Sequence, residues 1–391
     1  TRSCRLGHRL KIGIVGAGIG GITAAVAMQQ RGVNVVVYEQ SPALGEIGAG
    51  ITVGPNANKV VNGLGLEDEF EALSSASPHV GTLDNKTGER LSYEIRGKEN
   101  FLKMYGSVSR LMHRADVHAA LERAFNTNDD ALKLNHKLTE IEQNDDGVTL
   151  RFANGVTDRC DVAVACDGLK SMVRDTLFET EPPKFTGFLA WRGLVPRSKV
   201  PNVSLDPHFA AFTAEDKMFG RYPVRHGTLI NYVANARRPG FTSESWKETA
   251  DIAEVLEEFE GWHEDVVSII RATPGARANR WALHSREPLD TWVSGRVCLL
   301  GDAAHPMTPF YGMGAGMAME DAAVLARCLE ASGDDWEGAL QRYERARIGR
   351  ANKFHRGSLE RGKTYMSADP AARSKTPNAG MEDEMSYDAM S

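Results

Sequence analysis

Among 391 residues there are only five cysteines, and no two of them stand in C-x-x-C spacing. Cys4, Cys160, Cys166, Cys298 and Cys328 are odd in number and far apart, and no histidine cluster with metal-ligand spacing lies near them. That excludes a disulfide framework and a zinc site, and leads us to expect reduced thiols in a cytoplasmic protein with no metal. Also missing is any run approaching the ~20 apolar residues that a spanning helix needs. Charge of one sign is lacking too: 46 basic against 52 acidic side chains give a net charge of -6, a field that attracts neither nucleic acid nor anionic lipid. What remains is small-molecule chemistry, in a chain long enough for two packed domains and a large cofactor. No internal repeat is visible.

The first residues imitate a secretory signal. Arg2, Arg5, Arg9 and Lys11 precede an apolar stretch that ends in Ala25-Val26-Ala27. Five glycines between Gly13 and Gly21 argue against it, because they would be wasted in a signal helix. The residues after Ala27 instead continue one α/β unit. Lys11 to Val15 is a β-branched run, Ile19 to Arg31 has helical character, and Val33 to Tyr38 is nearly all valine, as in two buried parallel strands around a helix. Between them Gly16-Ala17-Gly18-Ile19-Gly20-Gly21 fits G-x-G-x-x-G in the context that this motif requires. Gly16 permits the tight turn, Gly18 lets backbone approach a pyrophosphate, and Gly21 allows close packing of helix on sheet. The helix start offers unpaired N–H groups. Glu39, closing the second strand, can accept both hydroxyls of a ribose.

Two further apolar strands, Val162 to Ala165 and Arg296 to Leu300, also end in turns, at Asp167-Gly168 and Gly301-Asp302. In a doubly wound sheet, ligands sit beyond such carboxyl ends. From about 185 to 283 the pattern alternates apolar and polar, which predicts a mostly antiparallel sheet interrupted by helices at about Ser245 to Phe259 and His263 to Ala272. Gly316 to about Arg361 is helical, and the stretch from Ser367 is polar and expected to pack poorly.

Three segments carry a resemblance: Met112-His113-Arg114-Ala115-Asp116-Val117-His118, then Cys166-Asp167-Gly168-Leu169-Lys170-Ser171-Met172-Val173-Arg174, then Gly301-Asp302-Ala303-Ala304-His305-Pro306 through Glu320-Asp321-Ala322-Ala323. Together they resemble the FAD-dependent aromatic hydroxylases, most closely the 6-hydroxynicotinate, 3-hydroxybenzoate and salicylate hydroxylases, from Lys11 to about Arg350. The resemblance implies an α/β fold with a mixed sheet. A discontinuous Rossmann-like FAD-binding domain of glutathione reductase type would span 9–75, 100–182 and 284–365. An antiparallel-sheet substrate domain would span 76–99 and 183–283, with C-terminal helices and a tail at 366–391. It further implies that Arg114 holds the FAD pyrophosphate, that Asp302 binds the ribityl chain, and that Asp167-Gly168 serves both FAD and a passing NADH or NADPH. Gln40 beside Glu39, and Leu138, join the cofactor set. So do Gly50 and Ile51 in Gly48-Ala49-Gly50-Ile51-Thr52-Val53-Gly54-Pro55-Asn56, which resembles the segment beside the isoalloxazine. Gly312, Gly314, Ala315 and Gly316 let backbone lie against the ring, and the helix that follows faces its pyrimidine with positive potential.

Tyr222 matches a strand tyrosine that faces the substrate in this family. Its bland reading is a core tyrosine on a half-buried strand. Arg110, four residues before Arg114, would share its face in an extended strand and so reach the flavin or a substrate carboxylate; a solvated charge is the alternative. Tyr222, Arg110 and Thr52 are therefore the catalytic candidates, with Met218, Phe310, Met313 and Trp191 as an apolar substrate pocket that keeps water out. His305 reads as structural. Where related enzymes place a histidine four residues before the tyrosine this chain has Met218, and Thr52 and Phe310 stand where some carry polar or basic groups. Activation of a phenol then falls to Tyr222, to a water or to a substrate already electron-rich. The resemblance implies hydride transfer from transiently bound NAD(P)H to FAD, a C4a-hydroperoxide formed with O2, and hydroxylation of a phenol or aromatic acid by a monomer or homodimer. Two other readings stay open: oxygen insertion or epoxidation on a non-aromatic substrate, and a flavin-binding protein that turns nothing over.

Overall fold

The computed structural model describes residues 10–45, 49–125, 131–241, 248–375 and 381–391; the segments at 1–9, 46–48, 126–130, 242–247 and 376–380, and with them Arg2, Cys4, Arg5, Arg9 and Gly48, lie outside the described residues. Lys11–Val15, helix Ile19–Gln30 and Asn34–Tyr38 form the predicted unit. Its strands are central in a six-stranded sheet ordered Val293–Ser294, Val297–Leu299, Val162–Ala165, Lys11–Val15, Asn34–Tyr38, Leu132–Lys133. All neighbours are parallel except the short hairpin at the first edge. Valine and isoleucine fill these strands because both faces are buried, one of them under helices Ile19–Gln30 and Gly314–Ser332. Register then fixes the site. Val15 pairs with Ala165, and Ala165 with Leu299, so three chain segments leave the sheet side by side.

An eight-stranded sheet stands opposite, ordered Glu248–Asp251, Arg277–Ser285, Lys184–Pro196, Leu229–Arg237, Lys217–Val224, Phe209–Ala214, His79–Asp84, Arg90–Ile95. Only the pairing of Phe209–Ala214 with His79–Asp84 is parallel. Alternation gives this sheet two characters. Its outer face, with Trp191, Phe212, Phe219 and Tyr232, packs under helices Ile252–Glu258 and Glu264–Arg271; its inner face looks towards the six-stranded sheet.

Two expectations need correcting. Residues 248–251 are not helical but pair with Arg277–Ser285, and the helix begins only after Asp251, whose carboxylate accepts the Ala253 N–H and caps it. The C-terminal segment also packs firmly. Met381, Met385 and Ala389, four residues apart, are buried, while Tyr387 lies 4.2 Å from the Arg350 guanidinium and 5.3 Å from that of Arg347. Polar average composition had masked that stripe.

Candidate active site

Between the carboxyl ends of the six-stranded sheet and the inner face of the eight-stranded one lies a cavity of about 780 Å³. Its floor is the glycine turn. Gly16 has φ +101°, and a Cβ there would meet the Cys166 carbonyl at 2.4 Å; one on Gly21 would stand 2.0 Å from the Gly16 oxygen. A Cβ on Gly18 would meet nothing within 4 Å, because this residue faces open space. The helix that starts at Ile19 has no side-chain cap, so its first N–H groups are left to a ligand. Glu39 closes the turn from the side, accepting the Ala17 N–H at 2.8 Å and the Ser41 N–H at 2.9 Å. Gln40 beyond it is exposed.

Of the other two turns, one brings Asp302 to the cavity and the other brings Gly168, with Asp167 behind it. One oxygen of Asp167 accepts the Val173 N–H at 3.2 Å, while Oδ1 is buried without a partner in the protein, and burial pushes the carboxyl up. Asp302 is reached by solvent through the cavity but ringed by protein, so burial raises its carboxyl against the pull of His305 and Arg114. Arg114 stands on the opposite wall. It opens helix Arg114–Ala124, directly after a two-stranded ribbon in which Gly50–Val53 pairs with Arg110–His113, bringing Gly50, Ile51 and Thr52 to the cavity. Gly312, at φ +65°, Gly314 and Ala315 line it at the uncapped start of helix Gly314–Ser332. These groups suit FAD: an open glycine cradle and a cation for its diphosphate, and the Asp302 carboxylate on the cavity for a hydroxyl.

The inner sheet face supplies Tyr222, Met218, Arg192 and Asn235, met by Phe310 and Met313 from the segment before helix Gly314–Ser332. Tyr222 stacks on Phe209 at 5.4 Å; burial raises its phenol, with Arg192 drawing it down. Arg192 lies 4.2 Å over the Trp281 ring and has no ion-pair partner among the described residues; burial lowers its guanidinium to about 10, which leaves it charged at neutral pH.

Four residues named from the sequence stand off the cavity. Trp191 is one residue out of phase with Arg192, so it packs on Phe259 in the outer layer, its Nε1 donating to Glu254. Arg110 is 3% exposed but points away from the cavity, bound to Asn58 at 2.8 Å and to Glu71, because the strand ends at His113 and the shared face with Arg114 ends with it. Gly316 turns towards helix Pro55–Gly63, where its Cβ would lie 3.3 Å from Ala57. Leu138 packs against the core at the start of strand Leu138–Asn144. His305 is structural: fully buried, its Nε2 is 2.5 Å from Asp321, in a network in which Arg347 also contacts Asp321 and Glu320. Burial works against the Asp321 charge, but His305 and Arg347 hold its carboxyl below the usual range. Sequence reasoning missed Arg192, Asn235, Tyr365 and Met385, all of which line the cavity. Nothing in the sequence marked the first two, because they share a face with Tyr222 and Met218 only through the register of three different strands.

A family model described as FAD binding domain matches residues 9–358. The chain belongs to that family, the FAD-dependent aromatic monooxygenases. It is 34% identical over 363 residues to 3-amino-4-hydroxybenzoate 2-monooxygenase of Streptomyces platensis, covering 93% of this chain and 90% of that one. It is 35% identical over 373 residues to 6-hydroxynicotinate 3-monooxygenase of Pseudomonas fluorescens, covering 92% and 93%. The crystal structure of Klebsiella pneumoniae HpxO complexed with FAD and uric acid superposes with a TM-score of 0.82 at 28% identity, covering 97% and 93%. No helix among the described residues is long and apolar enough to cross a membrane.

Proposed function

We propose that this enzyme consumes NAD(P)H and O2 to hydroxylate a small aromatic or heteroaromatic ring. The observation that carries the reading is the meeting of three turns from one row of sheet register with an apolar, partly cationic sheet face across a single cavity. Bound FAD would supply the redox chemistry, taking hydride from NAD(P)H and passing one atom of O2 to the ring while the other leaves as water. Gly18 and the helix start at Ile19, with Arg114 opposite, hold the diphosphate; Asp302 holds a hydroxyl; Glu39 takes the ribose. With no second G-x-G-x-x-G in the chain, the nicotinamide visits transiently.

The sheet wall handles the ring. Tyr222 keeps its proton throughout the working pH range, so it donates a hydrogen bond to a ring oxygen and does not act as a base. Arg192, charged and unpaired, draws negative charge onto that oxygen and makes the ring a better nucleophile. Met218, Phe310 and Met313 keep water away from the reacting atoms. Phenols, aromatic acids and hydroxypyridines, the substrate classes in the names of the relatives, come first in a screen for accelerated NAD(P)H-dependent flavin reduction. With the best of them, Tyr222→Phe should slow product formation on the order of ten- to a hundredfold while flavin content stays constant. Unchanged rate and coupling would remove Tyr222 from the reaction.

A further inference from the structure

Strand Leu229–Arg237 carries one polar side chain that the fold leaves unused. Asn235 is 1% exposed, and neither its amide nitrogen nor its carbonyl oxygen has a hydrogen-bond partner. Register places it between Ala190 and Met218 on the inner sheet face, and it lines the cavity with Phe310 and Leu283. Asn231, two steps earlier on the same face, gives its carbonyl to the Gly50 N–H at 2.6 Å and so ties two segments together. Asn235 ties nothing. A buried amide with donor and acceptor both unmet is costly, and such groups are rare unless something outside the protein meets them.

We propose that Asn235 is a substrate-binding residue that reads a ring edge on which a donor stands beside an acceptor, such as the N–H and C=O of a lactam-form heteroaromatic ring. A carboxamide pairs with that edge through two parallel hydrogen bonds, one given and one taken, and leaves no atom over. A carboxylate offers two acceptors and would turn one of them against the Asn235 carbonyl. A plain hydrocarbon edge would leave both amide atoms bare. The neighbours Ala190, Met218, Leu283 and Phe310 are apolar, so they offer no competing partner and strengthen the pair. Arg192, one row away over Trp281, answers the oxygen that gains charge. This inference deepens the hydroxylase reading and rests on the cavity being its substrate site.

The test is a titration of the oxidised holoenzyme, following the flavin absorbance, with 2-pyridone, N-methyl-2-pyridone and benzoate. 2-Pyridone should bind on the order of tenfold or more tightly than its N-methyl form, which has lost the donor. Asn235→Leu should bring the two within about twofold, with the cost of methyl bulk still present in both proteins. Equal binding in the wild type, a preference that survives Asn235→Leu undiminished, benzoate as the tightest ligand, or no response to 2-pyridone would each overturn the proposal. Should Asn235→Leu fail to hold flavin, the wild-type preference decides alone. Binding is read without turnover, so a protein that discriminates these ligands yet oxidises none of the screened rings would count against the proposed substrates and leave the Asn235 contact standing.

Discussion

His355 sits on helix Trp336–Tyr365, 3% exposed, with its Nε2 3.2 Å from the Ser285 hydroxyl. Burial, helped by His305, Arg174 and Arg356 nearby, pushes its imidazole down from 6.5 to about 4. In the unfolded chain the same ring takes a proton near 6.5, so between these two values the unfolded state binds more protons. Stability is therefore lost as pH falls through that window, by up to roughly 3 kcal/mol from this group, and levels off below it. Denaturant melts at several pH values between 7 and 4 should show the decline, and His355→Gln should flatten it. An identical slope in the variant would place the titration elsewhere. Arg110 shows the opposite fate of a buried polar group: Asn58 and Glu71 satisfy it within the fold.

Among the elements, the tight joint between the first strand and its helix bears most of the cofactor geometry. A methyl at Gly21 would stand 2.0 Å from the Gly16 oxygen, which is backbone and cannot yield cheaply. Gly21→Ala should thus purify with little flavin and bind added FAD at least tenfold more weakly, a loss of about 1.4 kcal/mol or more; flavin content equal to wild type would show that the helix can shift. This joint was legible in the sequence because its chemistry is local: glycines, a β-branched strand and Glu39 lie within one unit. The strand-end turns at Asp167 and Asp302 were legible for the same reason. Arg110 was not, since its partners come from helix Pro55–Gly63 and from Glu71, and only the fold shows that they take up its charge. Trp191 was misplaced by a single step of strand phase, which composition cannot fix. Asn235 was invisible as a site because an unmet hydrogen bond is a property of three dimensions.

For the whole molecule, the surprise is that the last described segment completes the cavity wall. Met385 faces it and packs with Phe101 and Tyr105, while Met381 packs with Met313, Met317 and Phe354. The segment is held by Arg327 at the Ala389 carbonyl and by Arg350 at that of Glu384. Deleting 381–391 should leave FAD bound, since none of the three turns is touched, but admit water and lower the coupling of NAD(P)H oxidation to product several-fold, with hydrogen peroxide making up the difference. Coupling at the wild-type level would reduce the segment to a purely structural cover.

The strand Lys217–Val224 turns Met218, Gly220 and Tyr222 inward and Phe219 and Arg221 outward, where Arg221 donates to the carbonyls of Pro207 and His208. One inserted residue would exchange the two sets, sending a guanidinium into the chamber and a phenol into the oily layer. New ring preferences can therefore evolve here by swapping side chains at alternate positions, whereas changes in length are confined to the loops.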